Sequence, residues 1–77
     1  MEKAQFSISP SKTTIKYLDT LVEIFIRYNG YGLDQYRSFM QSIMLNDNFQ
    51  YIYFMDAWYI LITMELIEQR GGLWFYK

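Results

Sequence analysis

Residues 49–70 form a helix-length run that is apolar or aromatic on almost every side and contains no basic residue before Arg70. Upstream of its last turn and a half, the polar residues of this run are Gln50, Asp56 and Thr63. A helix that is apolar all round has to be buried. The run therefore predicts a helix that is covered on several sides, by its own small domain or by another chain.

The length of the chain, 77 residues, allows one domain with a core that is just sufficient. At about this size a core alone usually supplies roughly 3 to 5 kcal/mol, so small proteins rely on disulfides, metals or oligomerisation. The sequence has no Cys and no His, which excludes a disulfide framework and a Cys/His zinc site. The high apolar content, 52%, then favours self-association or a partner protein.

Charge and residue types argue against nucleic acid binding and catalysis. Seven Lys and Arg stand against eight Asp and Glu with no run of either sign, so a basic footprint for nucleic acid is missing. His and Cys, which serve most often in acid-base and covalent catalysis, are absent. Gly30-Tyr31-Gly32 and Gly71-Gly72 lack the pattern of phosphate-binding loops and are predicted to be helix stops. We therefore expect no enzyme activity, cofactor, bound metal or small-molecule substrate.

The location of the protein is predicted from its apolar stretches. The first residues lack the long apolar segment of a secretory signal, which predicts a cytoplasmic protein. The longest apolar stretch, Tyr51 to Met64, is interrupted by Asp56 and is shorter than the roughly 20 residues of a membrane span. We therefore expect no membrane insertion.

The first half of the chain predicts a short strand and one helix. Gln5-Phe6-Ser7-Ile8 alternates polar and apolar residues, which is typical of a half-buried strand, here over about residues 4–8. Apolar residues then recur every three or four positions and predict a helix over about 11–28, with Asn29-Gly30 at its end. This helix has two adjacent apolar stripes, Ile15-Leu18-Val22-Phe25 and Tyr17-Leu21-Ile24-Tyr28.

The second half predicts two more helices and a C-terminal strand. One apolar face recurs between Leu33 and Met44 and predicts an amphipathic helix over about 33–45. Asn46-Asp47-Asn48 favours a turn, so the third helix is predicted over about 48–70, before the glycine pair. The aromatic segment that follows predicts a strand over about 73–77, whose obvious mate is residues 5–8.

Together these elements predict a mainly α fold, a single three-helix domain over residues 1–77 with a short two-stranded pairing of its N- and C-terminal segments. A winged-helix-like α+β fold is the alternative, because three helices, a short turn before the third and a terminal strand suit it. That topology would favour nucleic acid binding. The third helix, however, offers Asn48 and Gln50 near its start and then aromatic residues, so this function is the second interpretation.

One side of the third helix carries candidate docking residues. Turning each residue by about 100° places Phe54, Trp58 and Leu61 on one line with polar residues at both ends, the pattern of a solvent-facing side. Either these three residues fill the domain's own core, or a partner covers them. Trp74 and Tyr76 of the aromatic segment are the other candidates for partner binding.

Asp56 lies on a separate, mostly apolar line of the same helix, with Ile52, Tyr59 and Thr63. A carboxylate buried without a donor would be costly. We therefore expect Asp56 to meet water or a hydrogen-bond donor, in preference to a role as catalytic acid or specificity contact.

The functional prediction is a small protein–protein interaction module that self-associates, because the third helix has more apolar surface than two helices and two short strands can cover. Tiny, cysteine-free, aromatic-rich chains with many Ile, Asn and Tyr residues suit an AT-rich bacterium, a phage or a mobile element. By analogy with inhibitors and adaptors from such sources, the chain is expected to act by occupying a protein surface.

Overall fold

A computed structural model describes residues 11–45 and 48–77 of the chain. In this part the chain forms three α-helices followed by a two-stranded antiparallel sheet. The elements in chain order are α1 at Lys12–Arg27, α2 at Leu33–Ile43, α3 at Tyr51–Thr63, β1 at Ile67–Arg70 and β2 at Leu73–Tyr76. The predicted mainly α fold with a short β pairing is confirmed.

The first helix, α1, begins at a serine cap. Ser11 Oγ accepts a hydrogen bond from the Thr14 N–H at 3.1 Å, which satisfies one of the free donors in the first turn. The apolar stripe that starts at Tyr17 is buried as far as Ile24, whereas Ile15 at the start of the other stripe is exposed. α1 therefore buries the stripe from Tyr17 to Ile24 but not Tyr28, and it also buries Phe25 at the end of the other stripe.

The second helix, α2, is amphipathic, as its spacing predicts. Its start is held by the Gly32 N–H, which donates to Gln35 Oε1 at 2.9 Å. Tyr36 and Met40 are buried, and so is Met44 directly after the helix. These three side chains pack α2 into the core.

The third helix, α3, is shorter than predicted: it ends at Thr63, and the prediction that it continues to Arg70 is wrong. Glu65 adopts the left-handed conformation with φ 58°, and the Leu66 N–H donates to the Leu61 carbonyl oxygen at 2.9 Å. A left-handed residue followed by a bond that reaches back over the last turn is a common helix ending. Here the left-handed residue is a glutamate, which gives no sequence signal for a stop.

The glycine pair closes a β-hairpin and does not stop a helix, so that prediction is corrected for Gly71-Gly72. Both residues have positive φ, 59° and 81°, as two-residue hairpin turns of the favoured type require. The register pairs Ile67 with Tyr76 at the open end and Arg70 with Leu73 at the turn. Residues 67–70 are therefore a strand, because the turn that follows them folds residues 73–76 back along them.

The outer edge of β2 is paired with the link between α1 and α2. The Gly30 N–H donates to the Trp74 carbonyl oxygen at 2.9 Å, and the Trp74 N–H donates to the Tyr31 carbonyl oxygen at 2.8 Å. The mate predicted for this segment, residues 5–8, lies outside the described residues. The winged-helix-like alternative also pairs the terminal strand with residues 5–8, whereas in the described residues this strand pairs with residues 67–70 and, at one bridge, with Tyr31.

The core is held at one point by a buried tyrosine. Tyr36 Oη donates a hydrogen bond to the Tyr28 carbonyl oxygen at 2.7 Å and lies 3.1 Å from the Trp74 carbonyl oxygen. Its ring stacks on Phe25 with a centroid distance of 4.1 Å. Burial raises the pKa of the Tyr36 hydroxyl above its ordinary value. This residue joins α2, the end of α1 and β2.

Candidate protein-docking surface

The line of α3 predicted as a docking surface is the centre of the core. Phe54 and Leu61 are buried, and Trp58 is 2% exposed. The Trp58 ring lies 5.5 Å from Phe25 and 5.2 Å, edge-on, from Trp74. Because the chain itself covers these residues, Phe54, Trp58 and Leu61 are withdrawn as candidate docking residues. The core alternative is the one that the structure supports.

The two candidates in β2 are partly buried. Trp74 packs edge-on against Trp58, and the Tyr76 ring lies 6.2 Å from Phe25. The Tyr76 N–H also donates to Asn29 Oδ1 at 2.8 Å. Both residues pack against the core. They do not form one exposed surface together with residues of α3. Their contacts make residues 73–76 a part of the fold and not a loose tail.

A different side of α3 is open to solvent, and we call it the outer face. It consists of five exposed residues: Ile52, Asp56, Tyr59, Ile62 and Thr63. Tyr59 is 69% exposed and Ile52 is 64% exposed, in a helix that has buried its opposite side completely. The residues recur every three or four positions, so they form one continuous surface along the helix.

The outer face was visible in the sequence but was not identified as a candidate surface. Spacing places Asp56, Ile52, Tyr59 and Thr63 on one line of the helix, whereas the predicted docking residues lie on the other line. The signal that could have separated them is the position of the carboxylate, since a charged residue in the middle of an apolar line marks the side that meets water. The expectation that Asp56 is not buried is confirmed.

The outer face of α3 carries very little charge. Residues 51–63 contain no Lys and no Arg, and Asp56 is the single charged residue of the helix. Arg37 lies 6.0 Å from the centre of the Tyr51 ring, at the first residue of α3. The surface is therefore apolar with one negative charge, the opposite of a surface that binds phosphates.

A cavity of about 340 Å³ lies beside the start of α3. Lys12, Lys16 and Tyr17 of α1 line one side of it, and Asn48 and Gln50 line another. The Gln50 N–H donates to Tyr17 Oη at 2.8 Å, which fixes the start of α3 against α1. The two lysines place positive charge next to this end of α3 and not on the outer face.

Two features are absent from the part of the chain that the structure describes. Across residues 11–45 and 48–77, no three Asp or Glu side chains come together as a metal site would require. None of the helices in these two segments has the length and apolar character needed to cross a bilayer.

Comparison of the chain with protein-family models, curated proteins and solved structures found no match.

Proposed function

We propose that the chain is a small protein–protein interaction module and that the outer face of α3 is its docking surface. The observation that carries the proposal is the exposure of Ile52 and Tyr59, at 64% and 69%, on a helix with no basic residue. A contiguous patch of exposed apolar side chains, unlike scattered single ones, is a candidate protein-binding site.

The chemistry of the outer face specifies the kind of partner. Ile52, Ile62 and the ring of Tyr59 favour an apolar protein surface, such as a groove that accepts one face of a helix. The Asp56 carboxylate lies between them, and burying it without a partner would be costly. A fitting partner therefore carries a Lys, an Arg or a hydroxyl opposite Asp56. Asp56 would repel a partner that presents an acidic surface to it.

The experiment compares two isoleucines that differ in location and match in exposure. Ile52 of the outer face is 64% exposed, and Ile26 of α1 is 65% exposed. I52E and I26E remove the same apolar group and add the same charge at helical positions. Immobilised wild-type protein and both variants are incubated with a lysate of the source cells. Each recovered protein is then purified and titrated against all three by calorimetry.

We expect one protein to bind wild type and I26E equally and to bind I52E at least about tenfold more weakly, as for a residue near the centre of an interface. Equal affinity for all three proteins would overturn the assignment of the outer face. Loss of binding in I26E with binding retained in I52E would move the docking surface to α1.

Nucleic acid binding is the second candidate, and the topology favours it. The order of three helices before a hairpin, and Lys12 and Lys16 beside the start of α3, support a winged-helix-like reader. The exposed carboxylate of Asp56 on α3 opposes it. Labelled duplex and single-stranded DNA, titrated at low salt and followed by fluorescence anisotropy, should show no saturable binding. Saturable, salt-sensitive binding that K12E abolishes would favour the reader over the docking module.

A further inference from the structure

The two strands of the hairpin differ in how their outer edges are used. β2 is paired with β1 on one edge, while on the other its Trp74 N–H donates to the Tyr31 carbonyl oxygen at 2.8 Å. On that same side the Tyr76 N–H donates to Asn29 Oδ1. β1 is paired only with β2 among residues 11–45 and 48–77. The sheet therefore has one closed edge and one open edge within these residues.

The register identifies the backbone groups at the open edge. Gln69 lies opposite Trp74 and Ile67 lies opposite Tyr76, and the N–H groups of both β2 residues point away from β1. Opposed residues of an antiparallel pair turn their backbone groups either both inward or both outward. The N–H and C=O groups of Ile67 and Gln69 therefore point away from β2. Ile67 is buried and Gln69 is exposed, so Gln69 is the accessible one of the two. An unpaired edge of this kind is a template for another strand.

The side chains along the open edge carry opposite charges in alternate positions. Glu68 and Arg70 stand on the same face of β1, with Arg70 Nε 3.5 Å from Glu68 Oε2. The Arg70 guanidinium also lies over the Phe75 ring at 4.1 Å. A strand with a negative and a positive residue two positions apart is complementary to an antiparallel copy of itself.

We propose that β1 pairs antiparallel with β1 of a second copy of this chain, about a two-fold axis that sets Gln69 opposite Gln69. In this register the two Gln69 backbones exchange a pair of hydrogen bonds. Glu68 of each copy lies opposite Arg70 of the other, twice in the interface. Sliding one strand by two residues in either direction places Glu68 opposite Glu68 or Arg70 opposite Arg70, which is unfavourable. Charge complementarity therefore selects both the occupant and the register.

The pairing predicts charge-reversal variants that fail alone and recover together. In E68R each copy presents two positive residues and in R70E two negative ones, so each variant opposes like charges across its own two-fold axis. We expect each to dimerise at least about tenfold more weakly than wild type. A 1:1 mixture of E68R and R70E restores two opposite pairs and should form a heterodimer. Sedimentation velocity with one variant fluorescently labelled measures all three states.

The mixture separates this pairing from simpler explanations. Both variants lose the Glu68–Arg70 contact within their own strand, so recovery in the mixture has to come from contacts between copies. Thermal melts check that each variant is folded, which we expect because Arg70 is exposed and Glu68 is half-buried. The variant I52E, altered on the outer face of α3, should dimerise like wild type. The edge pairing and the proposed docking surface are therefore tested separately. A result that overturns the edge pairing would not overturn the docking surface.

Two results would overturn the proposal. One is a wild-type chain that sediments as a monomer at every concentration into the millimolar range. The other is a mixture of E68R and R70E that associates no more tightly than either variant alone, because contacts elsewhere would then hold the copies together.

Discussion

The two sides of α3 are both apolar, yet one is the centre of the core and the other faces water. Trp58 on the inner side is 2% exposed, whereas its neighbour Tyr59 on the outer face is 69% exposed. The inner side is covered by Phe25 of α1, Tyr36 of α2 and Trp74 of β2. The apolarity of a helix sets how much surface has to be covered, and the topology decides which side the chain covers itself.

Adjacent aromatic residues give the largest test of this comparison. W58A removes a buried indole that contacts three elements and should lower the free energy of unfolding by about 3 to 5 kcal/mol. Y59A removes an exposed ring and should change it by no more than about 0.5 kcal/mol. Urea denaturation of both variants beside wild type measures the difference. Similar losses for the two would mean that the outer face is covered in solution, by self-association or by another part of the chain.

The buried hydroxyl against the inner side should give a smaller effect. Y36F keeps the ring stacked on Phe25 and removes the donor that serves the Tyr28 carbonyl oxygen at 2.7 Å and lies near that of Trp74. Losing this part-buried hydrogen bond should cost about 1 kcal/mol. Y59F, which loses an exposed hydroxyl, is the matched control and should be neutral. A neutral Y36F would show that water replaces the lost donor at the join of α2 and β2.

Raising the pH tests the contribution of the Tyr36 hydroxyl without a substitution. The pKa of Tyr36 is raised above 10.0 in the folded chain by burial, so the folded state keeps a proton that the unfolded state loses. The stabilisation is complete below pH 10.0 and is lost as the pH rises through the folded-state value. The free energies of unfolding of wild type and Y36F, measured as a function of pH, should therefore converge above pH 10.0. Parallel curves would mean that the Tyr36 hydroxyl ionises as readily in the fold as in the unfolded chain.

The predicted helices and the inner side of α3 follow from spacing alone. Apolar residues at intervals of three and four located α1 and α2, and rotation by about 100° per residue grouped Phe54, Trp58 and Leu61 correctly. Spacing could not say whether this group met the core or a partner. That depends on which elements lie over it, and the Trp58–Trp74 contact joins residues far apart in the chain.

The hairpin was missed for two local reasons. Glu65 takes the left-handed conformation that sequence patterns assign to Gly or Asn, so the end of α3 carries no signal. Residues 67–70, Ile-Glu-Gln-Arg, have no strong β-forming pattern and become a strand because Gly71-Gly72 turns the chain back. The sequence predicts that the glycine pair stops a helix and that residues 73–77 pair with residues 5–8, so it does not predict a strand at residues 67–70. The end of α3 at Glu65 limits the length of the outer face, and the turn at Gly71-Gly72 makes residues 67–70 the strand with the open edge.

The left-handed glutamate gives the smallest and most local test, at the point where α3 and its outer face end. A non-glycine residue at φ 58° carries strain that glycine avoids, although glycine also gains freedom in the unfolded chain. On balance E65G should raise the free energy of unfolding by about 0.5 kcal/mol. The control is M64G, since the exposed Met64 has φ −84° and carries no such strain. M64G should cost about 0.4 to 1 kcal/mol, because glycine there adds only unfolded-state entropy. Opposite shifts of the urea midpoint, with equal slopes, would fix the end of α3 at this residue. If both variants lose stability alike, Glu65 makes a contact whose stabilisation exceeds the strain of its backbone. That contact would then help to fix the end of α3, where the outer face also ends.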